Sequence, residues 1–168
     1  MNLSNYKFHP VKITGFLFLA LCMFSFSGCF SESEITETEV LDVIDKMDVA
    51  AKNKDSDGIV ANISEKVQIK ATAVTLDGKT QTDAYTRDQY RNLVKRVFDA
   101  ATNYQHNRRN TKVKISPDGT SAIVTSELSE SVTINGQIIS SVETSVSTFV
   151  KENGKLVIRY IDITGKQV

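Results

Sequence analysis

Two cysteines, two histidines and two prolines in 168 residues leave few ingredients for metal, thiol or disulfide chemistry. The chain has no Gly-rich phosphate loop, no Gly-x-Ser-x-Gly and no His-x-x-x-His. That removes the motif grounds for nucleotide binding, serine-hydrolase chemistry or a helical zinc pair. Asp55, Asp57 and Gly58 look like a fragment of a calcium loop, but Lys66 stands where the loop needs its closing Glu. No cofactor and no metal is therefore expected. An excess of charge of one sign is also missing, with 20 basic residues against 20 acidic. Nothing in that balance calls for nucleic acid as a partner. A chain 40% hydrophobic and 24% charged suits one globular domain with a modest core.

The one long apolar run is at the N-terminus. Lys7, His9 and Lys12 precede Ile13 to Phe26, an uncharged stretch shorter than the roughly 20 residues a membrane-spanning helix requires. Its length and flanks are those of a signal-peptide core. Ser27-Gly28-Cys29 follows, and resembles the lipobox of bacterial lipoproteins, in which small residues precede a cysteine that is acylated and becomes the new N-terminus. Phe26 departs from that pattern, which favours an aliphatic residue three before the cysteine. Cys22, preceded by Leu21, is the poorer candidate. The resemblance implies a signal peptide over residues 1–28, a lipidated Cys29 and a polar tether through residue 38, with an uncleaved N-terminal anchor as the alternative. Removal of residues 1–28 takes Cys22, His9, Lys7 and Lys12 with it, so the exported domain would have no disulfide, one histidine and a slight acidic excess. Phe30, in place of the Asp that tends to retain lipoproteins in the inner membrane, implies the periplasmic face of the outer membrane in a Gram-negative cell.

Beyond the tether, the spacing of Val40, Ile44, Met47 and Ala51 predicts an amphipathic helix. Ile59, Val60 and Ile63 suggest a short second one. Val67 to Leu76 alternates as a strand does and ends at Asp77-Gly78. Thr86-x-x-Gln89 announces another helix through a capping box, followed by Tyr90, Leu93, Val94, Val97 and Phe98 at helical spacing. From Tyr104 on, segments rich in Val, Ile, Thr and Ser are divided by Pro117-Asp118-Gly119, Asn135-Gly136 and Asn153-Gly154, which predicts a four-stranded antiparallel meander.

The order near ααβαββββ implies an α+β fold, with N-terminal helices packed on a curved antiparallel sheet across residues 39–168. The Ala50-to-Asp55 end of the first helix, Ile59 to Ser64, Ser116 to Ala122 and the closing pair from Ser147 to Ile163 resemble the nuclear transport factor 2-like superfamily of cystatin-like cones. A different helix-on-sheet domain is the alternative. The resemblance implies a cone that holds a small apolar ligand or substrate, and pairing of two copies through the sheet. Enzymes of that superfamily place Asp, His or Tyr in the cone for proton transfer.

His106 lies in Tyr104 to Arg109 with no carboxylate adjacent in sequence, so a solvent-facing or edge-strand histidine is expected. Arg108, Arg109, Lys112 and Lys114 read as a solvated strand face. Tyr85, Tyr90, Glu127, Glu130, Glu143, Tyr160 and Asp162 form the pool of acid/base groups. Alternation selects among them: Glu130 falls in register with Val124, Leu128 and Val132, and Asp162 and Tyr160 with Leu156 and Ile158. If those faces line the cone, Glu130, Tyr160 and Asp162 are the weak catalytic candidates; otherwise the acids reach water. With no visible His/Asp pair, the favoured reading is a membrane-anchored, non-catalytic module for a small ligand or an envelope protein. The alternative is a small isomerase or dehydratase-like enzyme.

Overall fold

The computed structural model describes residues 34–168. The signal peptide read over residues 1–28, Cys29 and Phe30 lie outside the described residues. Thr36 starts the first helix, α1 (Glu37–Lys52). Its hydroxyl accepts from the Glu39 N–H at 3.2 Å while the Glu39 carboxylate accepts from the Thr36 N–H at 2.9 Å, a complete capping box. Ile35 is buried and its N–H donates to the Gly119 carbonyl at 2.9 Å, so residues 34–38, read as tether, already belong to the folded unit. Thr36→Ala is expected to lower stability by about 1 kcal/mol. An unchanged urea midpoint would show that Ile35 secures this end unaided.

Helix α2 (Ser56–Val60) follows after a turn through Lys54, and Asp55 caps it by accepting from Gly58 N–H at 2.9 Å. Gly58 is required here: a Cβ at this position would lie 2.8 Å from that of Ala50 on α1. Strand β1 (Ile63–Val74) turns into β2 (Thr80–Tyr85), and α3 (Arg87–Ala100) opens on the Thr86/Gln89 capping box that the sequence predicts. The meander follows as β3 (Asn103–Ile115), β4 (Ser121–Ile134), β5 (Gln137–Glu152) and β6 (Lys155–Gln167). At both Asn-Gly turns the two residues take positive φ, 51° and 78° at Asn135-Gly136 and 53° and 76° at Asn153-Gly154, the geometry of a type I′ hairpin.

The six strands form one sheet in the order β2-β1-β6-β5-β4-β3. The architecture is the α+β cone expected, with two additions. Strand β2 was not foreseen, because it is an edge strand whose residues 80–84 are all exposed and carry no apolar alternation. Strand β1 lies parallel to β6, so the sheet is mixed. The core gathers α1, α2 and the inner sheet face, with Val40, Ile69, Phe149 and Ile158 almost wholly buried. No helix among the described residues is long and apolar enough to cross a membrane.

Two bulges set which side chains face inward. On β6, Phe149 pairs with Ile158 and Thr148 with Tyr160, so Arg159 is an extra residue and the pleat reverses there. On β3, Arg109 pairs with Glu127 and Lys112 with Thr125, again one residue too many, taken up at Asn110 with φ 54°. Before that bulge Tyr104, His106 and Arg108 face the cone; after it Val113 and Ile115 do.

Candidate active site

Strand β3 places His106 beside the C-terminal half of α1 and opposite Glu130 on β4. Its side chain is only 5% exposed. One ring nitrogen, Nε2, lies 3.0 Å from Asp48 Oδ1, and Nδ1 lies 3.0 Å from Glu130 Oε1. Two residues along the same strand, Arg108 Nε donates to both Asp48 oxygens at 2.9 and 3.1 Å. Two residues back, the Tyr104 hydroxyl donates to Glu130 Oε1 at 2.6 Å. The Tyr104 ring stacks near His106 and meets Phe98 of α3 edge-on, with centroids 5.0 Å apart.

These groups line part of a cavity of about 260 Å³. Its other walls are apolar, including Met47, Leu93, Val97, Leu128 and Ile163. Glu143 of β5 and Tyr90 of α3 also reach it. The Glu143 carboxylate accepts from the Ser141 hydroxyl at 3.1 Å. Among the described residues no group of His, Cys, Asp and Glu is arranged to hold a metal ion.

Burial alone would hold the His106 imidazole down, but hydrogen bonds to Asp48 and Glu130 outweigh it and push its pKa up to about 9. As an imidazolium it donates from both nitrogens. Burial would raise Asp48, yet His106 and Arg108 together hold it below the usual carboxylate range. Burial and then the charge of Glu130 push Glu143 upward. Tyr90 and Tyr104 are pushed up by burial and next by Glu130, so both phenols stay protonated. A folded-state pKa above the unfolded value near 6.5 means that His106 stabilises the fold fully below pH 6.5 and loses that contribution as pH rises through about 9. The His106 ring protons are therefore expected to titrate in NMR spectra with a midpoint near 9. A midpoint at 6.5 or lower would show that desolvation prevails.

The expectation of a solvent-facing His106 is corrected: β3 is an edge strand, but the histidine sits on its inner face. Its carboxylates come from α1 and β4, not from neighbours in sequence. The basic cluster divides in the same way, with Arg108 turned inward to Asp48 and Arg109 outward to Glu127 at 2.9 Å. Of the three acid/base candidates, Glu130 lies in the cavity. Tyr160 and Asp162 do not join it. They sit together on the opposite sheet face, where the Tyr160 hydroxyl donates to Asp162 at 3.1 Å and Lys70 pairs with the same carboxylate at 3.2 Å. The bulge at Arg159 is the reason: Ile158 faces the core before it and Ile161 and Ile163 after it, which turns Asp162 out. Tyr85 and Glu127 also lie away from the His106 cavity, whereas Tyr90 and Glu143 line it.

A scan against protein-family models matches none, and a search of curated proteins finds no relative. Solved structures do match. A scytalone dehydratase-like protein from Novosphingobium aromaticivorans aligns over 76% of this chain and 82% of that one, at 13% identity and a TM-score of 0.60. A hexachlorocyclohexane dehydrochlorinase from Novosphingobium barchaimii aligns over 76% and 84%, at 9% identity and a TM-score of 0.61. A protein of unknown function from Pseudomonas putida, described as nuclear transport factor 2-like, aligns over 79% and 89%, at 12% identity and a TM-score of 0.57. The chain has the nuclear transport factor 2-like fold. At these identities the likeness carries the fold alone, and the nuclear transport factor 2-like cone is a scaffold on which function has to be argued from the site.

Proposed function

We propose that the cone binds a small, largely apolar molecule and moves a proton on it, in an elimination or isomerisation. The observation that carries this reading is His106 held between Asp48 and Glu130 in the wall of a largely apolar cavity. Asp48, clamped by Arg108, fixes the imidazole through Nε2, so that Nδ1 is presented to Glu130 and to whatever enters. Both bonds to Glu130 use Oε1, and none among the described residues uses Oε2. Glu130 Oε2 then accepts the proton from a substrate carbon. The C–H electrons form the new double bond, and the leaving group departs with the proton that His106 donates. Transfer from Glu130 back to His106 across their 3.0 Å contact restores the starting state. Dehydration and dehydrochlorination, the reactions in the names of two structural neighbours, are both eliminations of this form.

The test measures chloride release from hexachlorocyclohexane and loss of water from a β-hydroxy ketone, with deuterium exchange at the ketone's α-carbon as a third readout. The wild-type protein is expected to accelerate at least one. Glu130→Gln is expected to slow it by about 100-fold or more, the usual scale of a general base. If all three readouts stay at the rate without protein, the reading gives way to a non-catalytic ligand-binding cone. One observation favours that second reading: both His106 nitrogens and the Tyr104 hydroxyl already have partners, so the network is complete as a rigid floor.

We also propose that the domain is exported and held at a membrane by acyl chains on Cys29, on the periplasmic face of the outer membrane in a Gram-negative cell. The support is the charged-then-apolar run ending in Ser27-Gly28-Cys29, with Phe30 after it.

A further inference from the structure

The charges around the cavity do not cancel. Asp48 has two cationic partners, Arg108 and His106, and Glu130 has His106 together with the Tyr104 hydroxyl. Glu143 has only the hydroxyl of Ser141, two residues away on its own strand, as a hydrogen-bond partner, and no cation among the described residues forms an ion pair with it; the charge of His106 acts on it only from beyond contact. Three carboxylates thus face two cations within one largely apolar space. A second polar group, the Tyr90 hydroxyl, belongs to a side chain in the same wall. Space is kept open for Glu143, because Gly165 lies opposite it on β6 and a Cβ there would sit 3.2 Å from Glu143 Cγ. The rings of Phe98, Tyr90 and Tyr104 line the same cavity, and aromatic faces attract an organic cation.

We propose that Glu143 is a specificity-determining residue and that the molecule taken by the cone is a small apolar amine, its ammonium group set against Glu143 and its hydrocarbon body against Leu93, Val97 and Leu128. This rests on the cavity being the ligand site. It adds the charge of the ligand. An ammonium supplies the missing positive charge, gives Glu143 a charge-assisted partner and offers the Tyr90 oxygen a donor. An anionic ligand would meet an uncompensated carboxylate. A neutral one would leave the half-buried Glu143 without an ion-pair partner, or protonated, the direction in which burial and Glu130 already push it.

The experiment is isothermal titration of the protein with three probes of one shape, cyclohexylamine, cyclohexanol and cyclohexanecarboxylate, at pH 7.5. The amine is expected to bind about 10-fold or more tightly than the alcohol, the scale of one charge-assisted hydrogen bond, and the carboxylate more weakly than either. Glu143→Gln is expected to erase the preference for the amine while leaving alcohol binding within about 2-fold, as removing one charge without changing shape should. Glu143→Leu is the second variant, expected to favour the alcohol, with circular dichroism confirming the fold of both. Equal binding of amine and alcohol, or a preference that survives Glu143→Gln, overturns this inference and leaves the cavity as a ligand site. Failure of all three probes to bind overturns the ligand-site reading as well.

Discussion

Asp48→Ala is expected to lower the unfolding free energy by about 3 kcal/mol, the low end of the loss seen when one member of a buried ion pair is removed. The carboxylate accepts from His106 Nε2 and twice from Arg108 Nε, and those side chains are only 5% and 15% exposed. Without it Arg108 loses the carboxylate it pairs with and His106 keeps only Glu130. The pKa of His106 must then fall, because desolvation keeps acting while one of its two supporting carboxylates is gone. Asp48→Asn keeps the shape and one acceptor oxygen, so its loss should be smaller, with the same downward movement of His106. Urea unfolding of the three proteins at pH 7 measures the first effect and NMR titration of the ring measures the second. A loss under 1 kcal/mol would mean that the network is worth no more than a surface ion pair.

Much of the fold was open to reading because the local rules agree with one another. Capping at Thr86 and Gln89, helical spacing through Phe98 and the Asn-Gly turns each point to the same elements. The Thr36/Glu39 box is equally legible, since Thr-x-x-Glu precedes the apolar positions of α1. What the pattern did not carry is pairing: nothing in Ile63 to Val74 says that it lies parallel to β6 rather than antiparallel to a neighbour. Strand β2 escaped because an exposed edge strand has no buried face to impose alternation.

The site was less legible for a reason that Arg159 illustrates. A single bulged residue reverses every later side chain, so strict alternation places Glu130 on the cavity side, on an unbulged β4–β5 pair, but does not hold through Tyr160 and Asp162. His106 was misplaced because its partners are distant in sequence. One signal was available: Asp48 stands four residues after Ile44 and three before Ala51, an acid on the apolar stripe of α1. A carboxylate on a buried helix face needs a partner, and the only histidine after Cys29 lies on a strand where Tyr104, His106 and Arg108 share one side.

Cys29→Ser is expected to abolish membrane retention while leaving the domain folded. Each buried methylene of an acyl chain contributes about 0.8 kcal/mol, and chains placed together on one cysteine hold a protein durably where one alone does not. Serine offers no thiol to acylate, so incorporation of a labelled fatty acid should fall to background and the protein should leave membranes washed with alkaline carbonate. If the wild-type protein itself takes up no labelled fatty acid and stays in washed membranes, the anchor is the uncleaved N-terminal segment and the lipidated reading is wrong. Phe26→Leu tests the same site in the other direction. It restores the aliphatic residue of the lipobox pattern, so a larger processed fraction is expected if Cys29 is the point of cleavage, and no change if it is not.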